Sequence, residues 1–238
     1  MICTMRPPRD RMTAAGVLGA SIGNDSLTKL LLHCDGADAS TTFTDSSASA
    51  RTVTANGNAQ LDTAQSNFGG ASLLLDGTGD YASCASSADL NMQTAGNWTV
   101  DCRVRPNNLT GSHTIAHFQS DVGGAGAGLH IYTSGTALLV DNGLVGSGLS
   151  AGTLATATWF HIAIVRSSGT ILMFLDGTQI DSEAAQNYGD GNSTCLIGRY
   201  TSGGGITGDW NGWIDEFRVS KGVARWTANF TVPDVAYY

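Results

Sequence analysis

The sequence predicts an antiparallel all-β domain, and three observations carry that prediction. Gly supplies 31 of the 238 residues, well above the usual share of about 7%. Charged residues are 13% of the chain, about half the ordinary share of ~25%, and the good helix formers Lys and Glu are reduced to Lys29, Lys221, Glu183 and Glu216. Asp-Gly and Asn-Gly pairs, whose residues accept positive φ in tight turns, recur at Asp35–Gly36, Asn56–Gly57, Asp76–Gly77, Asn142–Gly143, Asp176–Gly177, Asp190–Gly191 and Asn211–Gly212. The length suits one sandwich with one core that needs neither disulfides nor metal.

Along the chain, residues 1–26 stand apart. Arg6, Arg9 and Arg11 surround Pro7–Pro8, and a small, Gly-containing stretch without strand or helix periodicity follows. A disordered tail and a basic docking arm that orders on a partner both fit this composition; the docking arm is the expectation taken forward. Residues 27–238 read as one domain, because no linker or charge block divides them. Trp98 to Arg105 alternates Trp98, Val100, Cys102 and Val104 with Thr99, Asp101, Arg103 and Arg105, which predicts one buried and one wet face. Trp159 to Val165 is continuously apolar, as a central strand would be, and Ile171 to Leu175 is expected to pair with it across Ser167–Thr170. Gln179 to Ser182 would return after Asp176–Gly177, and Trp213 to Val219 is the last strong strand. The similar segments LLLDGTGD (73–80) and MFLDGTQID (173–181) read as two strand–turn–strand units sharing one turn chemistry.

The net charge of −8 and pI near 4.8 argue against nucleic acid and against an anionic membrane surface as partners, since both need clustered cations. No apolar run approaches the ~20 residues a spanning helix requires, and no apolar stretch after the N-terminal charges suggests a secretory leader. Cys3, Cys34, Cys84, Cys102 and Cys195 are odd in number and form no CxxC pair, so reduced, buried thiols are expected. A single Cys84–Cys102 disulfide is the alternative.

With these elements in order, the chain resembles the concanavalin A-like lectin/glucanase superfamily in its laminin-G-like branch. The residues that carry the resemblance are LLLHCDG (30–36), FGGASLLLDGTGDY (68–81), WTVDCRVRP (98–106), WFHIAIVR (159–166) with FLDG (174–177), and WIDEFRVS (213–220). They cover residues 28–232. The resemblance implies a two-sheet antiparallel jelly-roll sandwich, here with a short extended N-terminal arm. A second, narrower resemblance joins KGVARWTANFTVP (221–233) to endings of tailed-bacteriophage virion proteins that contain this domain.

Some members of the superfamily hydrolyse glycans with an ExDxE strand, because retaining hydrolysis needs two carboxyls about 5–5.5 Å apart. This chain has no ExDxE, and Glu183 and Glu216 are far apart in sequence. Asp215 and Glu216 are adjacent, so regular alternation would send them to opposite faces. Asp215 is read as a partly buried carboxylate paired with Arg225 or with backbone N–H groups. No GxSxG elbow is present, and His113 and His117 lie on a segment that reads as strand and turn. The chain is therefore read as no enzyme. Relatives that bind calcium do so at the sandwich rim through hard oxygen ligands. The rim candidates here are Asp121, Asn142, Asp190 and Asp209. For glycan stacking and hydrogen bonding the candidates are Tyr188, Tyr200, Trp210 and Asn192, since Trp98, Trp159 and Trp213 read as core.

Two functions follow as expectations. In the first, the protein is a non-enzymatic virion subunit, a capsid decoration or tail-associated protein. It assembles in the host bacterial cytoplasm, forms homo-oligomers, and docks on virion proteins through its arm to reach the virion surface. In the second, it is a carbohydrate-binding adhesion module for host or environmental glycans, with calcium as a candidate cofactor. Exposed rings at Tyr188, Tyr200 and Trp210 would favour the second reading and packed rings the first.

Overall fold

Local turn chemistry builds the hairpins. In the computed structural model, which describes residues 23–92, 96–122, 127–143, 148–188, 191–201 and 208–238, Asp176 (φ 47°) and Gly177 (φ 75°) close the two-residue loop between β13 (Thr170–Leu175) and β14 (Thr178–Ala184). Ser168 (φ 49°) and Gly169 (φ 86°) do the same between β12 (Phe160–Ser167) and β13. Both are the primed turns whose twist matches that of the flanking strands.

The other strands are β1 (Thr28–Leu32), β2 (Phe43–Thr44), β3 (Thr52–Asn56), β4 (Gln60–Asp62), β5 (Ser72–Asp76), β6 (Tyr81–Ser87), β7 (Trp98–Pro106), β8 (Ser112–Ser120), β9 (Gly128–Ser134), β10 (Ala137–Asp141), β11 (Leu149–Ala151), β15 (Ser193–Ile197) and β16 (Asn211–Lys221). Sheet one runs β14-β13-β12-β7-β16-β5-β4, with β1 also on β16. Sheet two runs β11-β10-β9-β8-β15-β6-β3-β2. The named strands pair antiparallel throughout, and the inner faces of the two sheets meet in one core containing Trp98, Val104, Phe118, Ile131, Ile164 and Phe217. This is the expected two-sheet sandwich.

Several local expectations change. The two look-alike segments differ in role: the Asp176–Gly177 turn stays within sheet one, whereas Asp76–Gly77 carries the chain from β5 in sheet one to β6 in sheet two. Asn211–Gly212 is no turn but the start of β16. Cys84 and Cys102 lie in different sheets, and the strand neighbour of Cys84 is Cys195, not Cys102. Cys34, Cys84, Cys102 and Cys195 are all free and buried.

The outer face of β7 is not wet, because Thr99, Asp101 and Arg103 are buried. Residues 222–238 cross it. Phe230 packs on Phe174 and stacks on Trp226, and Tyr237 donates its hydroxyl to Asp101. Beneath this strap, Arg218 grips both Asp101 oxygens at 3.0 and 3.2 Å and lies 3.7 Å from the centre of the Tyr237 ring. Burial pushes the Asp101 carboxyl up, but the Arg218 charge and the hydrogen bond and charge of His161 outweigh it and hold the group at about 2.

Asn24 and Asp25 are bonded to the sandwich. Asp25 accepts from Leu27 and Thr28 N–H and pairs with Arg225, and Asn24 N–H donates to the Tyr238 carbonyl. Arg6, Arg9 and Arg11 lie outside the described residues.

Candidate functional site

The outer face of sheet two carries a cluster of aromatic and titratable side chains. Gly128–Ser134 alternates, so Leu129 and Ile131 enter the core while His130 and Tyr132 share the opposite face. His130 stacks on Tyr132 at 4.3 Å and 3°, and on Tyr200 at 4.4 Å and 28°. His117, from β8, packs against Tyr200 at 4.5 Å. Tyr200 reaches this place because the chain folds back after Gly198. Its hydroxyl donates to the Gly143 carbonyl, and Thr201 donates to Gln119 Oε1 at 2.7 Å.

Tyr132 is half-buried. With Leu139, Asp141, Gly148 and Ser150 it lines a depression of about 240 Å³. His130 thus covers part of the ring while the rest borders open space. Asp141 opposes His130 across the β9–β10 register, its Oδ1 lying 3.4 Å from His130 Nδ1 and accepting Gly143 N–H at 2.8 Å. Burial raises the Asp141 carboxyl, but the hydrogen bond and charge of His130, with Gly143 N–H and the Tyr132 hydroxyl, outweigh it and hold the group below the usual carboxylate range. Burial, then Asp141, raises the Tyr132 phenol. The depression therefore offers an aromatic surface, an ionised acceptor and the side chain of the exposed Ser150.

The sequence-predicted residues fall elsewhere. Tyr188, Tyr200 and Trp210 are 2%, 6% and 0% exposed: the rings are packed, the outcome that the sequence reading tied to a structural subunit, and none of the three presents a free stacking face. Tyr188 packs edge-on against Trp98. Tyr200 instead backs the His130–Tyr132 stack, and Trp210 is core. Trp213, expected in the core, is half-buried on the outer face of sheet one, where its Nε1 donates to Asp62 at 2.6 Å.

Asp121, Asn142 and Asn192 gather at one rim, at the ends of β8 and β10 and the start of β15. Asp121 accepts from Ser86 and its N–H donates to the Asn192 carbonyl, while the Asn142 carbonyl accepts Gly128 N–H. Asp209 lies at the opposite rim, buried, where it accepts Gly79 N–H at 2.7 Å and faces Arg199. Asp190 lies outside the described residues. Among the described residues no three His, Cys, Asp or Glu side chains are grouped to hold a metal.

Asp215 and Glu216 are both buried. A bulge between Asp215 and Arg218, with Glu216 at φ 49°, inserts one residue into the alternation. Asp215 thus leaves the core-facing set of Phe217 and Val219, contrary to the alternation read from sequence. Its partners are N–H groups of Asn67, Phe68 and Glu216, not Arg225. Glu216 is held by His33 at 2.8 Å and by Tyr237 N–H.

Burial lifts Asp215 to about 7 against the pull of the Phe68 and Asn67 N–H groups. The folded state then binds more protons than the unfolded state between about pH 4 and 7. The stability contribution of Asp215 therefore falls as pH rises through that window, by at most ~4 kcal/mol at about 1.4 kcal/mol per unit. Asp215→Asn copies the neutral form. Melting scans should show its Tm gaining on the wild type from pH 4 to pH 7; a constant difference would contradict the assignment.

The comparisons agree with the fold. Residues 76–227 match the family model of the concanavalin A-like lectin/glucanases superfamily. No curated protein sequence matches. Among solved structures, the botulinum neurotoxin serotype C1 binding domain is similar with a TM-score of 0.61 at 18% identity, covering 86% of this chain and 51% of that one. The binding domain of Paraclostridial Mosquitocidal Protein 1 gives 0.61 at 13% identity, covering 83% and 50%. The botulinum neurotoxin DC binding domain in complex with SialylT gives 0.58 at 19% identity, covering 86% and 50%. The chain spans about half the length of these structures. They lend no support to the virion expectation. The family match and the observed two-sheet sandwich together make this chain a member of the concanavalin A-like lectin/glucanases superfamily.

Proposed function

We propose that this domain is a non-enzymatic carbohydrate-binding module whose site is the depression on the outer face of sheet two. The observation that carries the reading is the Tyr132 ring, half-buried, backed by stacked His130 and Tyr200, and set beside the ionised Asp141. A rigid aromatic face beside a hydrogen-bond acceptor suits the apolar face and hydroxyls of a pyranose ring. Pre-stacking removes the cost of ordering the ring on binding. The similar solved domains are binding domains, one of them in complex with SialylT, which supports binding over catalysis. The buried, hydrogen-bonded Asp215 and Glu216 support it as well.

The full chain, displayed multivalently so that weak contacts add, is to be applied to a glycan array with calcium and again with a chelator. Saturable binding that persists in chelator is the expected result. Absence of binding in both conditions would overturn the proposal.

A further inference from the structure

We infer that the depression beside Tyr132 selects uncharged sugar rings over the same rings carrying a carboxylate, and that Asp141 sets the choice. This rests on the carbohydrate-binding reading and names the ligand class of the same site. Among the described lining residues, Asp141 is the ionised group and no Lys or Arg is present. Residues 144–147 (LVGS), which connect two lining segments, and 202–207 (SGGGIT), which follow Tyr200 and Thr201, carry no charge in the sequence. A second acid, Asp181, stands at the lip and accepts Ser150 N–H at 3.2 Å. Arg199 is directed away, over the Tyr81 ring and toward Asp209.

A carboxylate accepts hydrogen bonds and donates none. Asp141 can therefore receive a sugar hydroxyl, whereas a sugar carboxylate would meet it as a like charge in a partly desolvated site. The His130 and Gly143 contacts hold Asp141 in place for either encounter. The volume of about 240 Å³ lies below the ~300–1,000 Å³ of drug-sized sites, which suits a single ring.

The test uses matched polymers displaying glucose or glucuronate, and galactose or galacturonate, against the full chain at low salt. In each pair that binds, the neutral member should be at least tenfold tighter, and Asp141→Asn should shrink the ratio to about threefold or less. Ser150→Lys, at an exposed position that does not depend on Asp141 refolding, should move the ratio toward the acid. Acid sugars binding as tightly as neutral ones, or a ratio unmoved by both variants, would overturn the inference and leave the carbohydrate reading standing. Binding of none of the four would remove both.

Discussion

Asp101→Ala is expected to cost ~3–5 kcal/mol of folding stability, a large part of the ~5–15 kcal/mol that holds a typical domain together. Asp101 and Arg218 are both fully buried, and Arg218 grips this one carboxylate through two hydrogen bonds. Removing Asp101 strands the guanidinium without water, and Tyr237 loses its acceptor as well. Residues 222–238 should then loosen from sheet one. Urea unfolding reads the first effect and proteolysis near the C-terminus the second. Asp101→Asn keeps the shape and one acceptor and should fall between the alanine variant and the wild type. A loss under ~1 kcal/mol for Asp101→Ala would mean that Arg218 finds another partner or reaches solvent.

Trp210→Ala is expected to cost a similar ~3–5 kcal/mol through the cavity it leaves, because Trp210 has no exposed surface. Glycan binding by the fraction that folds should be unchanged. Tyr132→Ala should behave in the opposite way. Its half-buried ring contributes less to the fold, while losing the stacking surface should weaken glycan binding tenfold or more, about 1.4 kcal/mol. Parallel thermal melts and glycan titrations separate the two. If Trp210→Ala selectively abolished binding and Tyr132→Ala did not, the site would have been placed on the wrong residues.

That contrast shows what the sequence makes legible. Strands and hairpins that rest on neighbouring residues are readable: the alternation of Trp98 to Val104 and the Asp176–Gly177 turn both appear as expected. The exchange of Trp210 and Trp213 between core and surface is not readable, because Asn211–Gly212 opens β16 instead of making a turn and the strand then bulges at Glu216. A one-residue bulge reverses every side chain beyond it, and a Glu in the left-handed region has no compositional signature. The wet face read for Asp101 and Arg103 fails for a different reason. The strap that buries it arrives from more than 120 positions along the chain. Half of the candidate site was within reach, since GLHIYTS (128–134) sets His130 and Tyr132 on one side by alternation alone. Asp141 and Tyr200 join them only through the pairing of β10 with β9 and the fold-back after Gly198.

The hydrogen bond from Asn24 to the Tyr238 carbonyl and the Asp25–Arg225 pair tie the lead-in to β1 to the strap over β7. The two segments therefore work as one latch: a change that frees either one exposes the anchoring groups of the other to water, and both should open together before the sandwich itself does.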